Sequence, residues 1–329
     1  MAGPTENPDR ERTEGRRPNR KRALLTGASS GIGIATAEKL ADSGYDLALV
    51  ARGEGLEVAA DRVRRSGGTA HVFRTDVSDL AMLEETVQQA LADLGGLDLA
   101  VFNAGVGIWG TFDETEREDF NRVLDVTFTA AVDATRLVLT ALEESGGAIV
   151  YTGSVAGQMP IPMMAPYSAA KHALRGFAGA LRGELRARKS PVRISMVNPG
   201  PIDTPFWKNA ALPAGRGEST PPPFVTYDVA AVATEIVRVA ESPRREVTVG
   251  GSVKAFRLAY LAGGALAEAA VGRLMLGLGK SDDSPREPRG LTGARGKGMT
   301  GGGRAGRPSL LAVSHHVRRQ IRRKLATGA

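Results

Sequence analysis

The sequence predicts an α/β protein with a doubly wound, parallel sheet of seven strands, helices on both faces, and a C-terminal extension. The main observation is that short apolar runs alternate strictly with amphipathic helical segments between residues 22 and 251. Such alternation is typical of a parallel sheet, because each right-handed crossover returns over one of its faces. The chain has 329 residues, of which 42% are apolar, and this is enough to bury a sizeable core.

Each strand is expected where an apolar run is bounded by turn residues. The expected strands are RALLTG, YDLALVAR, TAHVFRTDV, LDLAVFNAG, residues 147–153, VRISMVNPG and REVTVGG. Helices are expected where apolar residues recur at helical spacing and glycine closes the segment. The expected helices are GIATAEKLADSG, LEVAADRVRRSGG, DLAMLEETVQQALADLGG and residues 120–143, 167–189 and 228–241.

Four segments are expected along the chain: a disordered N-terminal arm (1–21), the α/β domain (22–251), an apolar helical extension (252–279) and a basic, flexible tail (280–329). The arm is rich in Pro, Gly, Arg and Glu and has no apolar core of a secretory signal, so a cytoplasmic location is expected. The chain has no cysteine, and its four histidines lack metal-ligand spacing. Thiol chemistry and disulfides are excluded, and no metal site is expected.

The net charge of +7 is distributed unevenly. Residues 1–22 hold seven basic and four acidic side chains, and residues 280–329 hold twelve basic and three acidic ones, so the rest of the chain is mildly acidic. The apolar run 255–279 is interrupted by charges, which argues against a membrane-spanning helix. It is expected either to pack on the domain, lining a site or a partner, or to lie on a membrane surface. The tail is expected to be solvated and charged, with binding to an anionic membrane surface as the alternative; its charge would also suit nucleic acid, but no nucleic-acid partner is expected.

A glycine-rich stretch, TGASSGIG (26–33), follows the first strand and opens the first helix. Gly27, Gly31 and Gly33 permit a tight turn and a close approach to a pyrophosphate, whose charge the helix N-terminus favours. Ser29, Ser30 and Ile32 complete the expected dinucleotide site.

The end of the second strand indicates which dinucleotide is expected. It carries Ala51 and Arg52 in place of the carboxylate that usually bonds the ribose of NAD. Arg52 could pair with the 2′-phosphate of NADP, with Ser29 or Ser30 donating to the same group. NADP(H) is therefore expected rather than NAD(H). A solvated Arg52 is the alternative, and the nearby Glu54 argues against NADP(H).

Two loops after later strands are expected to contact the cofactor. Asp76, followed by Val77, is placed to bond the adenine amino group, or else to cap the next helix. The loop Asn103, Ala104 and Gly105 ends the fourth strand and would pass beneath the cofactor, at the edge where binding crevices form.

Tyr167 and Lys171 lie four residues apart in a predicted helix, so both side chains point to one face. A cation a few ångströms away favours the phenolate and would lower the tyrosine pKa, making the phenol a usable acid or base. Ser154 ends the preceding strand, where its hydroxyl could stabilise charge on a substrate oxygen.

These residues together resemble the short-chain dehydrogenase/reductase family over residues 22–251, through TGASSGIG, Asp76–Val77, NAG, Ser154, YSAAK and NPGPIDT (198–204). The resemblance implies a Rossmann-like fold and hydride transfer between NADP(H) and a carbonyl or alcohol. It implies that Ser154 stabilises the substrate oxygen, that Tyr167 passes the proton, and that Lys171 binds the nicotinamide ribose and lowers the tyrosine pKa. The nicotinamide would be held by the segment with Pro199, Gly200, Ile202 and Thr204.

The chain departs from the family pattern at one position. The family usually has an Asn in the long helix after NAG, where it holds a water that relays protons to the lysine, and this chain has Thr127. We expect the relay to persist with lower efficiency, because a threonine hydroxyl is shorter and has one donor.

The substrate side is expected to be apolar and adaptable, which suits a small hydrophobic carbonyl or alcohol. The residues expected there are Trp109, Gln158, Met159, Met163, Met164, Phe206 and Trp207, with the loop 204–223 closing over the cofactor. A homodimer is expected, since glycines 176, 179 and 183 give the catalytic helix a small-residue face. The alternatives to an NADP(H)-dependent enzyme are an NADP(H)-binding regulator with little turnover and a lipid reductase associated with a membrane surface.

Overall fold

The computed structural model describes residues 20–206, 210 and 226–279. Its centre is a parallel sheet of seven strands in the order β3-β2-β1-β4-β5-β6-β7, which confirms the predicted Rossmann-like class. The strands are β1 (Lys21–Thr26), β2 (Tyr45–Ala51), β3 (Ala70–Arg74), β4 (Leu99–Phe102), β5 (Ala148–Thr152), β6 (Arg193–Pro199) and β7 (Glu246–Val249).

Helices follow the strands wherever the sequence has helical periodicity. They are α1 (Gly31–Asp42), α2 (Gly55–Arg65), α3 (Leu80–Leu94), α4 (Arg117–Leu124), α5 (Ala130–Ser145), α6 (Ala165–Ala187), α7 (Val229–Glu241) and α8 (Gly251–Gly279). The helix expected at 120–143 is α4 and α5 joined by a π-helical segment, Asp125–Thr129. A short 3₁₀ segment, Val155–Gly157, follows β5.

The core lies on both faces of the sheet. One apolar cluster packs α1, α2 and α7 on the first face, and a second packs α3, α5 and α6 on the other. Most residues of β1, β2, β4 and β5 are fully buried because both faces of the sheet are covered. The strand order reverses between β1 and β4, so the loops after these two strands diverge and open a crevice at the carboxyl edge of the sheet.

The start of the domain differs from the predicted boundary. The composition predicts that Arg20 and Lys21 belong to a disordered arm, but Lys21 is the first residue of β1. The guanidinium of Arg20 donates to the Asp46 carboxylate at 3.1 Å and to the carbonyl oxygens of Ala41 and Tyr45. The domain therefore begins at residue 20 or earlier. The rest of the arm and the tail 280–329 lie outside the described residues.

The extension after β7 is the helix α8, as the sequence predicts. It is interrupted at Gly264, whose φ of 49° and ψ of −135° are not helical. Val253, Tyr260 and Met275 of α8 are buried, so one side of the extension packs against the domain.

Candidate active site

The glycine-rich turn between β1 and α1 is built so tightly that side chains cannot replace its glycines. Gly27 and Gly31 have φ values of 69° and 44°, which favour glycine. A Cβ on Gly27 would lie 2.8 Å from the Ala104 backbone, and one on Gly33 would lie 2.0 Å from the Gly27 carbonyl oxygen. Ser30 is the N-cap of α1, and its side chain makes no capping hydrogen bond to the helix. The terminus has the form of an anion site.

The end of β2 lies beside this turn. A Cβ built on Gly53 would lie 2.9 Å from the Ser29 hydroxyl oxygen. A Cβ built on Gly55 would lie 2.1 Å from the Ser29 carbonyl oxygen. The Ser29 hydroxyl therefore borders the residue that follows Arg52. Of the two serines considered for an NADP phosphate, the structure places Ser29 on this side.

The Arg52 side chain is partly exposed, but it forms an ion pair with Asp76. Its Nη1 lies 3.0 Å from Oδ2 of Asp76, and Arg122 of α4 donates to the same oxygen at 2.5 Å. Arg122 also bonds the hydroxyl of Ser78, which itself donates to Asp76 at 2.7 Å. Burial opposes ionisation of Asp76, but the hydrogen bonds from Ser78 and Arg122 outweigh it and lower its pKa to about 2. Two guanidinium groups thus share one carboxylate at this end of the crevice.

The alternative role considered for Asp76, the N-cap of the next helix, is wrong. That cap is Asp79, whose carboxylate accepts from the backbone N–H of Met82 at 3.1 Å. Asp76 instead accepts from the N–H of Ser78 within its own loop, and Val77 beside it is buried.

The loop after β4 is held against the glycine turn. The Thr26 hydroxyl accepts from the N–H groups of Asn103 and Ala104, at 3.1 and 3.2 Å. The side-chain amide of Asn103 donates to the Gly27 carbonyl at 3.1 Å. A Cβ on Gly105 would lie 3.7 Å from Nζ of Lys171, so this loop connects the glycine turn with the lysine.

The segment after β6 crosses from the sheet edge to the same turn. It is anchored at Ile202, which is buried and pairs with Tyr227, and at Gly200, whose N–H donates to the Val249 carbonyl at 3.0 Å. Farther along, the Thr204 methyl lies 2.9 Å from a Cβ built on Gly31. The segment from Pro199 to Thr204 thus borders the glycine-rich turn. It is this segment that the resemblance expects to hold the nicotinamide. Most of the loop 204–223, including Trp207, lies outside the described residues.

Ser154, Tyr167 and Lys171 converge at the end of β5. Ser154 follows the strand and is the N-cap of the 3₁₀ segment, where its hydroxyl accepts from the Ala156 N–H at 3.1 Å. Lys171 is 3% exposed, and its Nζ donates to the Thr152 carbonyl at 2.7 Å. The same Nζ lies 5.6 Å from the centre of the Tyr167 ring. The predicted helical turn therefore brings phenol and amine together beside the serine.

Burial dominates the titration of this pair. It raises the pKa of Tyr167 to about 12, against a smaller lowering by a hydrogen bond with Ser154. It lowers the pKa of Lys171 from 10.5 to about 7. The expectation that Lys171 lowers the pKa of Tyr167 is therefore wrong, because the pKa is raised. Withdrawal from water, which disfavours the charged form of both groups, is the larger effect.

Thr127 lies in the π-helical segment and is 1% exposed. Its hydroxyl accepts from the Val106 N–H and donates to the Val106 carbonyl, both at 3.1 Å. A Cβ on Gly105 would lie 3.6 Å from its oxygen. The single hydroxyl proton is therefore used to hold the loop after β4, and the oxygen keeps one lone pair for another donor. Local π-helix is frequent at functional sites.

An apolar cluster lies against Tyr167. Its buried members are Trp109, Met163, Met164 and Met275, and Ile161, Phe206 and Val271 pack on them. The rings of Tyr167 and Phe206 have centroids 5.2 Å apart. Four residues expected on the substrate side, namely Trp109, Met163, Met164 and Phe206, are thus brought together beside the tyrosine.

Two other expectations for the substrate side are not met. Gln158 is buried and its side-chain amide contacts Thr248 and Glu246, at 3.3 and 3.4 Å, so it faces β7. Met159 belongs to a neighbouring cluster with Val253 and Tyr260 of α8.

Sequence reasoning also missed three residues. Arg122 carries no local signal, because its role depends on α4 reaching the loop after β3. Met275 and Val271 come from the extension, whose apolar composition indicated a packed helix but not which residues face the site.

Comparison with known proteins agrees with this geometry. A family model described as short chain dehydrogenase matches residues 21–213. The chain belongs to the short-chain dehydrogenase family. It is 32% identical to the putative oxidoreductase SadH of Mycobacterium tuberculosis, over 71% of this chain and 88% of that protein. It is 31% identical to the oxidoreductase YxnA of Bacillus subtilis, over 71% of this chain and 67% of that one. The chain is therefore an oxidoreductase of the short-chain dehydrogenase type.

Solved structures of other short-chain dehydrogenases share the fold. An alcohol dehydrogenase from the archaeon Thermococcus sibiricus, complexed with 5-hydroxy-NADP, has a TM-score of 0.61 and 28% identity, covering 70% of this chain and 95% of that one. A short-chain dehydrogenase/reductase from Burkholderia phymatum, in complex with NAD, has a TM-score of 0.67 and 26% identity, covering 74% of this chain and 93% of that one.

Proposed function

We propose that this protein is an NADP(H)-dependent oxidoreductase that interconverts a hydrophobic carbonyl compound and its secondary alcohol, with Tyr167 as the acid or base. The observation that carries the proposal is the convergence of Ser154, Tyr167 and Lys171 at the end of β5. The lysine Nζ is fixed by Thr152 at 2.7 Å and lies 5.6 Å from the tyrosine ring. These residues adjoin the glycine turn through the loop at Gly105.

The protein's own groups suit proton transfer to a carbonyl oxygen. Because burial raises the pKa of Tyr167 to about 12, the phenol holds its proton at neutral pH and is available as a donor. Ser154 provides a second hydroxyl on the same side, which would stabilise charge developing on the substrate oxygen. When bound, NADP(H) supplies or accepts the hydride.

The residues present fit a dinucleotide. The tight turn has no room for side chains at Gly27 and Gly33, so its backbone is left bare where a pyrophosphate would approach. The residues proposed to hold the cofactor are Gly27, Ser29, Ser30, Gly31, Ile32, Gly33, Arg52, Asp76, Val77, Asn103, Ala104, Gly105, Tyr167, Lys171, Pro199, Gly200, Ile202 and Thr204.

The preference for NADP(H) over NAD(H) is proposed from Arg52 and Ser29. Arg52 pairs with Asp76 at 3.0 Å and is about half exposed, so an incoming phosphate can replace the carboxylate as its partner. Arg122 keeps Asp76 bonded at 2.5 Å, and the carboxylate is therefore not left unpaired when Arg52 turns away.

The proposed substrate class follows from the cluster beside Tyr167. Trp109, Met163 and Met164 are buried around it, and Met275 closes the cluster from α8. An apolar wall of flexible methionines accommodates hydrophobic groups of varied shape.

Turnover assays test the proposal. Purified protein is mixed with NADPH or NADH and a panel of steroid, lipid-derived and small aromatic carbonyls, and cofactor oxidation is recorded. We expect oxidation of NADPH with the hydrophobic members, and a loss of at least about 10²-fold in Tyr167→Phe with cofactor binding retained. Tyr45→Phe is the matched control, because Tyr45 is a buried tyrosine of β2 away from the site. A Tyr167→Phe variant as fast as the wild type would disprove the role of the tyrosine.

A second candidate function is an NADP(H)-binding regulator with little turnover. The bonding of Thr127 favours it, since the hydroxyl that would have to relay protons already donates to Val106. The same assay separates the two functions, because the regulator would bind NADPH without oxidising it against any carbonyl.

We also propose a homodimer formed through α5 and α6, located in the cytoplasm. Cβ atoms built on Gly176, Gly179 and Gly183 of α6 meet nothing within 4 Å, so this face is open to the close approach of another helix. Light scattering with Gly179→Trp tests the dimer: the substitution should yield a monomer, and an unchanged mass would place any interface elsewhere.

A further inference from the structure

The outer surface of α8 is unusually apolar for a protein surface. Nine large apolar side chains are exposed in the described part of the chain, and six of them belong to this one helix. They are Phe256, Leu258, Leu261, Leu266, Leu274 and Leu276. Leu266 is 83% exposed. Such a concentration calls for an apolar partner, because isolated surface leucines are common but grouped ones are not.

The helix lies on the domain and does not leave it. Residues Gly251–Gly277 are long and apolar enough to cross a membrane by length and composition, yet only 11% of the window is buried. The break at Gly264 divides α8 into two pieces, each shorter than the roughly 20 residues that a spanning helix needs. Val253 and Met275, one in each piece, are buried against the domain. The arrangement fits a helix that lies in an interface rather than one that spans it.

Charge around this surface favours an anionic partner. The basic side chains of α8 are Lys254, Arg257 and Arg273, and its only acidic one, Glu268, bonds the Tyr260 hydroxyl. The sequence that follows, residues 280–329, carries twelve basic and three acidic side chains. A second copy of the chain would bring two such basic segments together, which is unfavourable.

We propose that the outer surface of α8 docks the protein on an anionic lipid bilayer, with its leucines among the acyl chains and its basic residues at the headgroups. Each component is typical of interfacial helices: apolar area for burial and positive charge for anionic lipids. Docking does not depend on the proposed reaction. The inner side of α8 supplies Val271 and Met275 to the cluster at Tyr167, so a docked protein would place that cluster next to the lipid.

Vesicle binding of the full-length protein tests the proposal. Sedimentation is compared for vesicles of phosphatidylcholine alone and of phosphatidylcholine with phosphatidylglycerol, at low and high salt. We expect binding to the anionic vesicles that weakens with salt. The triple variant Leu258→Asp, Leu266→Asp and Leu274→Asp should bind them at least about tenfold more weakly.

The matched control is Leu80→Asp with Met82→Asp on α3. These side chains are 48% and 42% exposed, so the same chemical change is made on another surface. The control should bind vesicles like the wild type, and both variants should keep the wild-type circular dichroism spectrum.

A second variant gives an independent signal. Leu266→Trp should show a blue shift of its added emission when anionic vesicles are mixed in, because the side chain would enter an apolar phase. The proposal is overturned if the wild type ignores anionic vesicles, if the triple variant binds them equally well, or if the tryptophan emission does not move. It is likewise overturned if the aspartates change the oligomeric mass and leave vesicle binding intact, since the surface would then join two copies of this chain.

Discussion

Replacing Lys171 with methionine should stabilise the fold near neutral pH. The lysine is 3% exposed, and burial lowers its pKa from 10.5 to about 7. Between these values the unfolded chain binds a proton that the folded chain does not, so the free energy of unfolding rises with pH across that window. Methionine retains the apolar length of the side chain and does not titrate. Only the wild type should therefore gain stability from this source as the pH rises.

The magnitude follows from two opposing effects. The span from 10.5 to about 7 corresponds to about 5 kcal/mol of unfavourable ionisation in the fold. The variant loses the 2.7 Å hydrogen bond from Nζ to the Thr152 carbonyl, at a pH-independent cost of about 1–3 kcal/mol. The variant should be more stable than the wild type by about 2 kcal/mol at pH 7, with the order reversed near pH 10, a relative change of roughly 1 kcal/mol per pH unit.

Guanidinium unfolding followed by circular dichroism at several pH values between about 7 and 10 measures this difference. The control is Lys39→Met, which removes an exposed lysine from α1 and should leave the pH profile parallel to that of the wild type. Parallel profiles for Lys171→Met and the wild type would refute the reasoning, because they would mean that the buried amine titrates as it does in the unfolded chain.

Three further predictions concern the cofactor side and the proton path. Arg52→Gln should raise the KM for NADPH by about 10- to 100-fold, because one charge-assisted contact is lost. The KM for NADH should not change. An equal rise in KM for both cofactors would contradict the proposed contact with the 2′-phosphate. Gly33→Ala should lower the free energy of unfolding by about 2–3 kcal/mol, because its Cβ would lie 2.0 Å from the Gly27 carbonyl oxygen. Chemical denaturation measures this loss. Thr127→Asn should raise turnover across roughly pH 6 to 9; a steady-state rate that is unchanged or lower would show that Thr127 does not limit a relay.

Much of the fold could be predicted because its determinants are local. A parallel sheet covered on both faces needs continuous apolar strands, and these are readable in the sequence between helical segments. The spacing of Tyr167 and Lys171 predicts a shared helix face for the same reason. The glycine-rich turn is also predictable, because its glycines lie in the sequence directly between the first strand and the first helix.

Features that depend on distant packing could not be predicted. Arg122 reaches Asp76 only because α4 crosses the loop after β3, and Gln158 faces β7 only because the strand order places that strand nearby. The spacing in the sequence predicts that Lys171 acts as a cation on Tyr167. In the structure, its enclosure determines the pKa instead, and enclosure is a property of the assembled fold.

The bond from Lys171 to Thr152 has a mechanical consequence. Ser154 continues the main chain two residues beyond Thr152, so the strand end carries the hydroxyl covalently and the amine through a 2.7 Å bond. A tilt of α6 away from β5 would stretch that bond, and a shift of β5 would carry both groups along. If the proposed reaction takes place here, we expect Lys171 and Ser154 to keep their relative positions, and substrate entry to require movement of Phe206 and α8, which pack near Tyr167.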